Sequence, residues 1–159
     1  MSEDKVIRVS LEQQGNYSFL VHFDEAQIDD LLTDEPEPLG NGAGPNPARL
    51  LLAALANCLS ASLLFALRKF HNQPGRLRAE ATARMERNAA GHWRIPKALV
   101  ELHLAEGADQ HQQLPHILEQ FENFCIVTQS VREGIEVAVT VKDAQGRVLM
   151  GDKSIEVGT

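Results

Sequence analysis

With 159 residues, of which 43% are hydrophobic, the chain is long enough to bury one core and short for two. A formal net charge of −7 leaves no broad basic surface, which argues against the phosphate-neutralising face of a nucleic-acid binder and the polybasic patch that holds an anionic membrane. The opening MSEDKVIRVSLEQQ is charged and alternating, not basic and then apolar, so it does not read as an export leader, and a cytoplasmic address is expected.

Residues Lys5 to Glu12 and Tyr17 to Phe23 alternate in polarity around Gln14-Gly15-Asn16. Val6, Tyr17, Phe19 and Val21 supply the side chains that favour strands, so an opening hairpin is expected. From Asp24 to Asn46 the chain carries Asp29, Asp30, Asp34, Glu35 and Glu37 among Pro36, Pro38, Gly40, Gly42, Gly44 and Pro45. This composition continues neither strand nor helix and predicts a long acidic loop, with a short turn at Ile28 to Leu32. A loop of that length in a compact domain tends to border a binding site. It lacks the Lys and Ser/Thr that would follow the glycines of a phosphate loop.

Asn46 can cap free backbone N–H groups and Pro47 fits the first helical position, so a helix starts there and runs to Lys69 or His71. Arg68, Lys69 and His71 suit the negative end of its dipole, and Asn72 to Gly75 stop it. Between Leu50 and Leu67 the run LLLAALANCLSASLLFAL has 18 residues without a charge, the length of a minimal membrane span. Asn57, Ser60, Ser62 and the many alanines lower its hydrophobicity, and the surrounding strands need an apolar helix as their core. It is therefore read as buried inside a protein that does not enter a membrane. A helix apolar on every side has more surface than one antiparallel sheet covers, which predicts an intimate homodimer.

Two alternating runs, Arg76 to Asn88 and Trp93 to Leu104, flank Ala89-Ala90-Gly91 and predict a second hairpin with Leu77, Ala79, Ala81 and Ala83 on one face. Leu114, Ile117, Leu118 and Phe121 have helical spacing within a helix from Gln110 to Phe124, and a further helix begins at Cys125 and ends near Gly134. Ile135 to Val141 and Arg147 to Met150 close the chain as a third hairpin. Hairpins interrupted by helices make an α+β protein, here one domain over residues 1–159, with antiparallel sheets around a long central helix.

The reactive candidates are two cysteines. In an intracellular chain they are not expected to form a permanent disulfide. Cys58, among leucines and alanines, has the position of a small buried hydrophobe, yet Asn57, Ser60 and Ser62 beside it call for partners or a pocket. Cys125 precedes a helix whose exposed N–H groups and positive dipole end favour a thiolate, and the same position also suits plain packing between Phe124 and Val127. A pair says more than either member, because a sulfenic acid formed on one thiol escapes overoxidation by forming a disulfide with another. His22, His71, His92, His103, His111 and His116 are scattered without metal-ligand spacing, so neither a metal nor another cofactor is expected. Arg76, Arg78, Arg84 and Arg87 read as a solvent face.

The segment GPNPARLLLAALANCLSASLL resembles the helix of the OsmC/Ohr family of hydroperoxide-reducing proteins, in which a GPNPEELLLAALASC-like stretch carries the peroxidatic cysteine. FCIVTQSVREGIEVAV is similar to the stretch that carries the family's second cysteine. The order of elements also matches over nearly the whole chain. The resemblance implies an OsmC-like fold in an intertwined homodimer, with Cys58 attacking the O–O bond of an organic hydroperoxide and Cys125 resolving the sulfenic acid to a disulfide. An outside dithiol would reduce that disulfide. Leu51, Leu55, Leu59 and Phe124 would line the apolar pocket for the substrate. The chain departs from the pattern at Ala48, where the family has a Glu, at Ile126, where it has a Pro, and in lacking the Arg of the preceding loop. Arg49 lies nine residues before Cys58 and so on nearly the opposite helix face.

Overall fold

The computed structural model describes residues 4–151. Strand β1 (Val9–Gly15) turns at Asn16 into β2 (Ser18–Phe23), and Asn16 takes the positive φ of 46° that its short polar side chain tolerates. The two strands are antiparallel, with Ser10 opposite His22 and Gln13 opposite Phe19. The acidic segment that follows is more ordered than its composition predicts. Leu31–Thr33 form a third strand, β3, antiparallel to β2 with Val21 opposite Leu31. A three-residue strand is stabilised only by the edge it joins, so no local pattern announces it.

Past β3 the loop is organised around one carboxylate. Asp34 is buried and accepts backbone N–H groups from Glu35 at 2.8 Å, Asn41 at 3.0 Å and Ala43 at 3.1 Å. Gly40 is required here, because a Cβ would lie 2.2 Å from the Glu35 carbonyl oxygen. The Ala43 N–H, with those of Asn41 and Glu35, outweighs burial and holds the carboxyl below its usual range.

Helix α1 (Pro47–Lys69) begins as expected, with the Asn46 side chain accepting the Arg49 N–H at 3.1 Å. At its far end His71 takes a positive φ of 63°, and the Asn72 N–H reaches back to the Leu67 carbonyl at 3.0 Å. The buried Asn72 side chain then donates to Gln112 O at 3.0 Å and accepts the Gln112 N–H at 2.7 Å, which ties the end of α1 to the segment before the next helix.

Strands β4 (Arg78–Ala83) and β7 (Ala98–His103) pair antiparallel, with Ala79 opposite Leu102 and Ala81 opposite Val100. The tip of this hairpin holds the short pair β5 (Glu86–Arg87) and β6 (Trp93–Arg94). The alanine face turns inward as read from sequence. The helix expected over Gln110 to Phe124 is broken into a 3-10 turn (Ala108–Gln110), α2 (Leu114–Gln120) and a second 3-10 turn (Phe121–Phe124); α3 (Ile126–Glu133) follows.

The core lies between the C-terminal half of α1, the β4–β7 hairpin and α2. Leu67 and Ile117 are fully buried beside Leu63, Ala66 and Leu114, and Phe70, Leu77, Leu102, Leu104 and Phe121 pack around them. By length and composition α1 is apolar enough to cross a membrane, but within the chain it packs against β4, β7, α2 and α3. Only 33% of its most apolar stretch is buried this way.

The closing hairpin is shorter than expected. Only β8 (Val141–Lys142) and β9 (Val148–Met150) pair, while residues 135–140 have no ladder partner and expose Ile135, Val137 and Val139. The alternation there describes a strand with no neighbour in the described chain.

Candidate active site

Both cysteines meet at the first turn of α3. Cys125 is its N-cap, and its sulfur accepts the Thr128 N–H at 3.4 Å. Cys58, from the middle of α1, presents its thiol to the same turn, with the Ile126 and Val127 N–H groups facing its sulfur. These are the orphan donors that any helix start leaves unpaired.

The two thiols interact directly, Cys58 as donor and Cys125 as acceptor, although the contact lacks the geometry of a fully formed hydrogen bond. Burial pushes the Cys58 thiol up and the contact with Cys125 adds to this, against the smaller opposing pull of the Val127 and Ile126 N–H groups. Burial also pushes Cys125 up, but the Cys58 thiol, the hydroxyl and N–H of Thr128, and the Arg132 guanidinium together bring it below the ordinary thiol range. The preferred site of negative charge in the pair is therefore Cys125. Access runs the other way, since Cys125 is 0% exposed and Cys58 is half-buried.

Beside the pair lies a cavity of about 480 Å³. Leu51, Leu55 and Leu59 form one wall, Ile95 to Ala98 and Val100 another, and Glu122, Thr128, Val131 and Arg132 a third. Three of the four residues expected to make an apolar pocket are thus brought together, and Phe124 is not. Its ring packs against Phe65 at 6.1 Å with Lys69 Nζ 5.9 Å from its centroid. The cause is local: in a 3-10 turn residues three apart eclipse, so Phe124 follows Phe121 toward the C-terminal half of α1, and Glu122 takes the place on the cavity. Neither sulfur lines the cavity. Thr128 joins the two, lining the cavity while its N–H meets Cys125.

The polar residues of α1 have separate fates. Ser60 donates to the Ala56 carbonyl at 2.7 Å, and Asn57 and Ser60 border a second, open depression with Arg68 and Arg76. None of the acidic residues between β2 and α1 lines the cavity beside the thiols. Ala48 leaves the start of α1 without a carboxylate, but an ion pair stands on the other side of the site: Arg132 Nη2 lies 2.8 Å from Glu122 Oε1, and both side chains line the cavity. Nothing local in the sequence links these two. Thr128 did carry a signal, since it stands three residues after an N-cap, the spacing at which a cap side chain accepts an N–H. Elsewhere, Glu80, Glu101 and His103 place ligand-type atoms within 4.8 Å of one another on the exposed side of β4–β7, because Glu80 and Glu101 are cross-strand partners.

The family model for OsmC-like proteins matches residues 40–140, well over half of the chain and including both cysteines. The chain belongs to the OsmC-like family. The fold agrees. An osmotic stress induced and detoxification response protein of Psychrobacter arcticus superposes with a TM-score of 0.64 at 20% identity, over 82% of this chain and 91% of that one. An organic hydroperoxide resistance protein of Vibrio cholerae, with captopril in one of its active sites, gives 0.64 at 21% identity, over 87% and 92%. The organic hydroperoxide resistance protein OhrB of Bacillus subtilis gives 0.58 at 16% identity, over 80% and 91%. No protein of curated function matches the chain by sequence. The OsmC-like fold of this chain thus sets two thiols at one helix start, next to a cavity with an apolar wall of leucines and a charged wall of Glu122 and Arg132.

Proposed function

We propose that this OsmC-like protein is a thiol-dependent peroxidase that reduces organic hydroperoxides in defence against oxidative stress. The observation that carries this reading is the contact of Cys58 and Cys125 at the start of α3, one thiol accessible and the other biased toward the anion, beside a cavity walled by Leu51, Leu55 and Leu59. The organic group of the substrate packs against those leucines. Cys125 takes the proton of Cys58 as the Cys58 sulfur attacks the peroxide: an S–O bond forms, the O–O bond breaks, and the alcohol leaves with the relayed proton. Cys125, anionic again, attacks the Cys58 sulfenic acid; the S–S bond forms and hydroxide departs. A cytoplasmic dithiol then reduces the disulfide and closes the cycle.

The whole chain acts as one domain in a homodimer. Three exposed apolar surfaces support this: the open face of α1 with Phe65, the strand β1 with Val9 and Leu11, and the unpaired segment with Ile135 and Val137. Patches of this kind mark protein contacts. Gel filtration should give twice the chain mass of 17.5 kDa.

A second reading keeps the thiol pair and drops rapid turnover, making the protein a redox-sensing or small-molecule-binding dimer. Ala48 and the upward push on Cys58 favour it, since a protonated attacking thiol is slow. One assay separates the two. Reduced protein with a dithiol should consume tert-butyl hydroperoxide catalytically, and Cys58→Ser should abolish this; consumption that survives the substitution would sink the mechanism, and a single slow equivalent would favour the sensor.

A further inference from the structure

We propose that Thr128 is the residue that holds the negative charge on Cys125, in a site whose helix start lacks a carboxylate at Ala48. This deepens the peroxidase reading and rests on it for the roles of the two thiols. Thr128 is 6% exposed, and its hydroxyl oxygen is buried without a completed hydrogen bond. A buried hydroxyl left in that state is costly. Its N–H already meets Cys125 Sγ at 3.4 Å, and its hydroxyl lies within reach of the same sulfur. Turning the O–H onto the sulfur satisfies the hydroxyl and gives the anion a second donor from one residue. A thiolate, the stronger acceptor, completes Thr128 better than the thiol does.

The other groups facing Cys125 leave this task to Thr128. From α1 comes Cys58, whose proton is the one to be moved, so it cannot be the fixed donor. From α3 comes Arg132, half-exposed, already bound to Glu122 of the preceding turn and acting on Cys125 less than the Thr128 donors do. Lys97 lies on the cavity with Arg132, and of these two cations Arg132 is the one that acts on Cys125. Thr128 alone joins burial, two donors and a place on the cavity wall. It is a positioning residue, keeping Cys125 able to receive the Cys58 proton and later to attack the sulfenic acid.

The test uses the hydroxyl alone. In a Cys58→Ser chain Cys125 is the single thiol, so absorbance of the thiolate at 240 nm reads its titration without ambiguity. Adding Thr128→Val, which keeps shape and loses the hydroxyl, should move that titration up by about one pH unit, whereas Thr128→Ser should leave it in place. In the chain with both cysteines, Thr128→Val should slow disulfide formation by tert-butyl hydroperoxide about tenfold at neutral pH, with the thermal midpoint of Thr128→Ser serving as the folding control. Equal titration of the Val and Thr chains, or loss in the Ser chain equal to that in the Val chain, would overturn the proposal. If the titration moves as expected but no chain forms the disulfide, Thr128 holds the anion and the peroxidase reading is what fails.

Discussion

Two anions are built into this protein by the same means and for different ends. Asp34 and Cys125 each sit at a sharp change of chain direction, each buried, each facing backbone N–H groups, and each is held below its ordinary pKa. Around Asp34 every donor is an amide of its own loop, so its charge is fixed and shapes the chain between β3 and α1. Around Cys125 one donor is another thiol, so the proton itself is the variable part. The difference teaches that a lowered pKa marks a reactive site only where a partner can exchange the proton.

That comparison can be broken at several points. The largest effect belongs to the resolving thiol. Cys125→Ser should let Cys58 react slowly with one equivalent of tert-butyl hydroperoxide and then stop turning over, with mass spectrometry finding Cys58 as a sulfenic acid, and as a sulfinic acid once a second equivalent has been consumed. Sustained turnover in this variant would mean that the pair does not work as one unit.

The structural anion should behave in the opposite way. Asp34→Asn should leave peroxide chemistry nearly intact while lowering the thermal midpoint by several degrees at pH 7, because three amides lose a charged acceptor. The sign of the pH dependence follows from the lowered carboxyl. Its stabilisation is complete above the unfolded value of about 3.9 and is lost as pH falls through the folded value, so the gap between the two chains should close in acid. A gap that widens in acid would show that Asp34 is not held as the anion.

The smallest effect concerns Arg132. Its pair with Glu122 is half-exposed, and such pairs contribute little, so Arg132→Met should slow disulfide formation by less than about fivefold, with part of that difference removed by high salt. A larger loss than that of Thr128→Val would transfer the main role to the guanidinium.

Much of this arrangement is legible in the residues themselves. Asn46 and Pro47 mark the start of α1, the alternation of Arg78 to Ala83 gives the inward alanine face, and the position of Cys125 before Ile126 gives its place at a helix start. What escapes sequence reading is set by neighbours far along the chain. Strand β3 exists because β2 offers an edge, residues 135–140 fail to pair because no edge is there, and Glu122 meets Arg132 only because a 3-10 turn precedes α3. The family resemblance places Phe124 on the pocket, and the pitch of that same turn sends it to Phe65 instead. The contact of Cys58 with Cys125 is of the same long-range kind, reached through the resemblance to a family and not through spacing.

The central claim is that Cys58 and Cys125 act as one redox unit. Its most direct test is to treat the reduced protein with one equivalent of tert-butyl hydroperoxide and map the peptides by mass without reductant. The account predicts a disulfide joining 58 to 125 within one chain and one equivalent of alcohol released. Peroxide consumed with both thiols left free, or Cys58 overoxidised while Cys125 remains reduced, would contradict it.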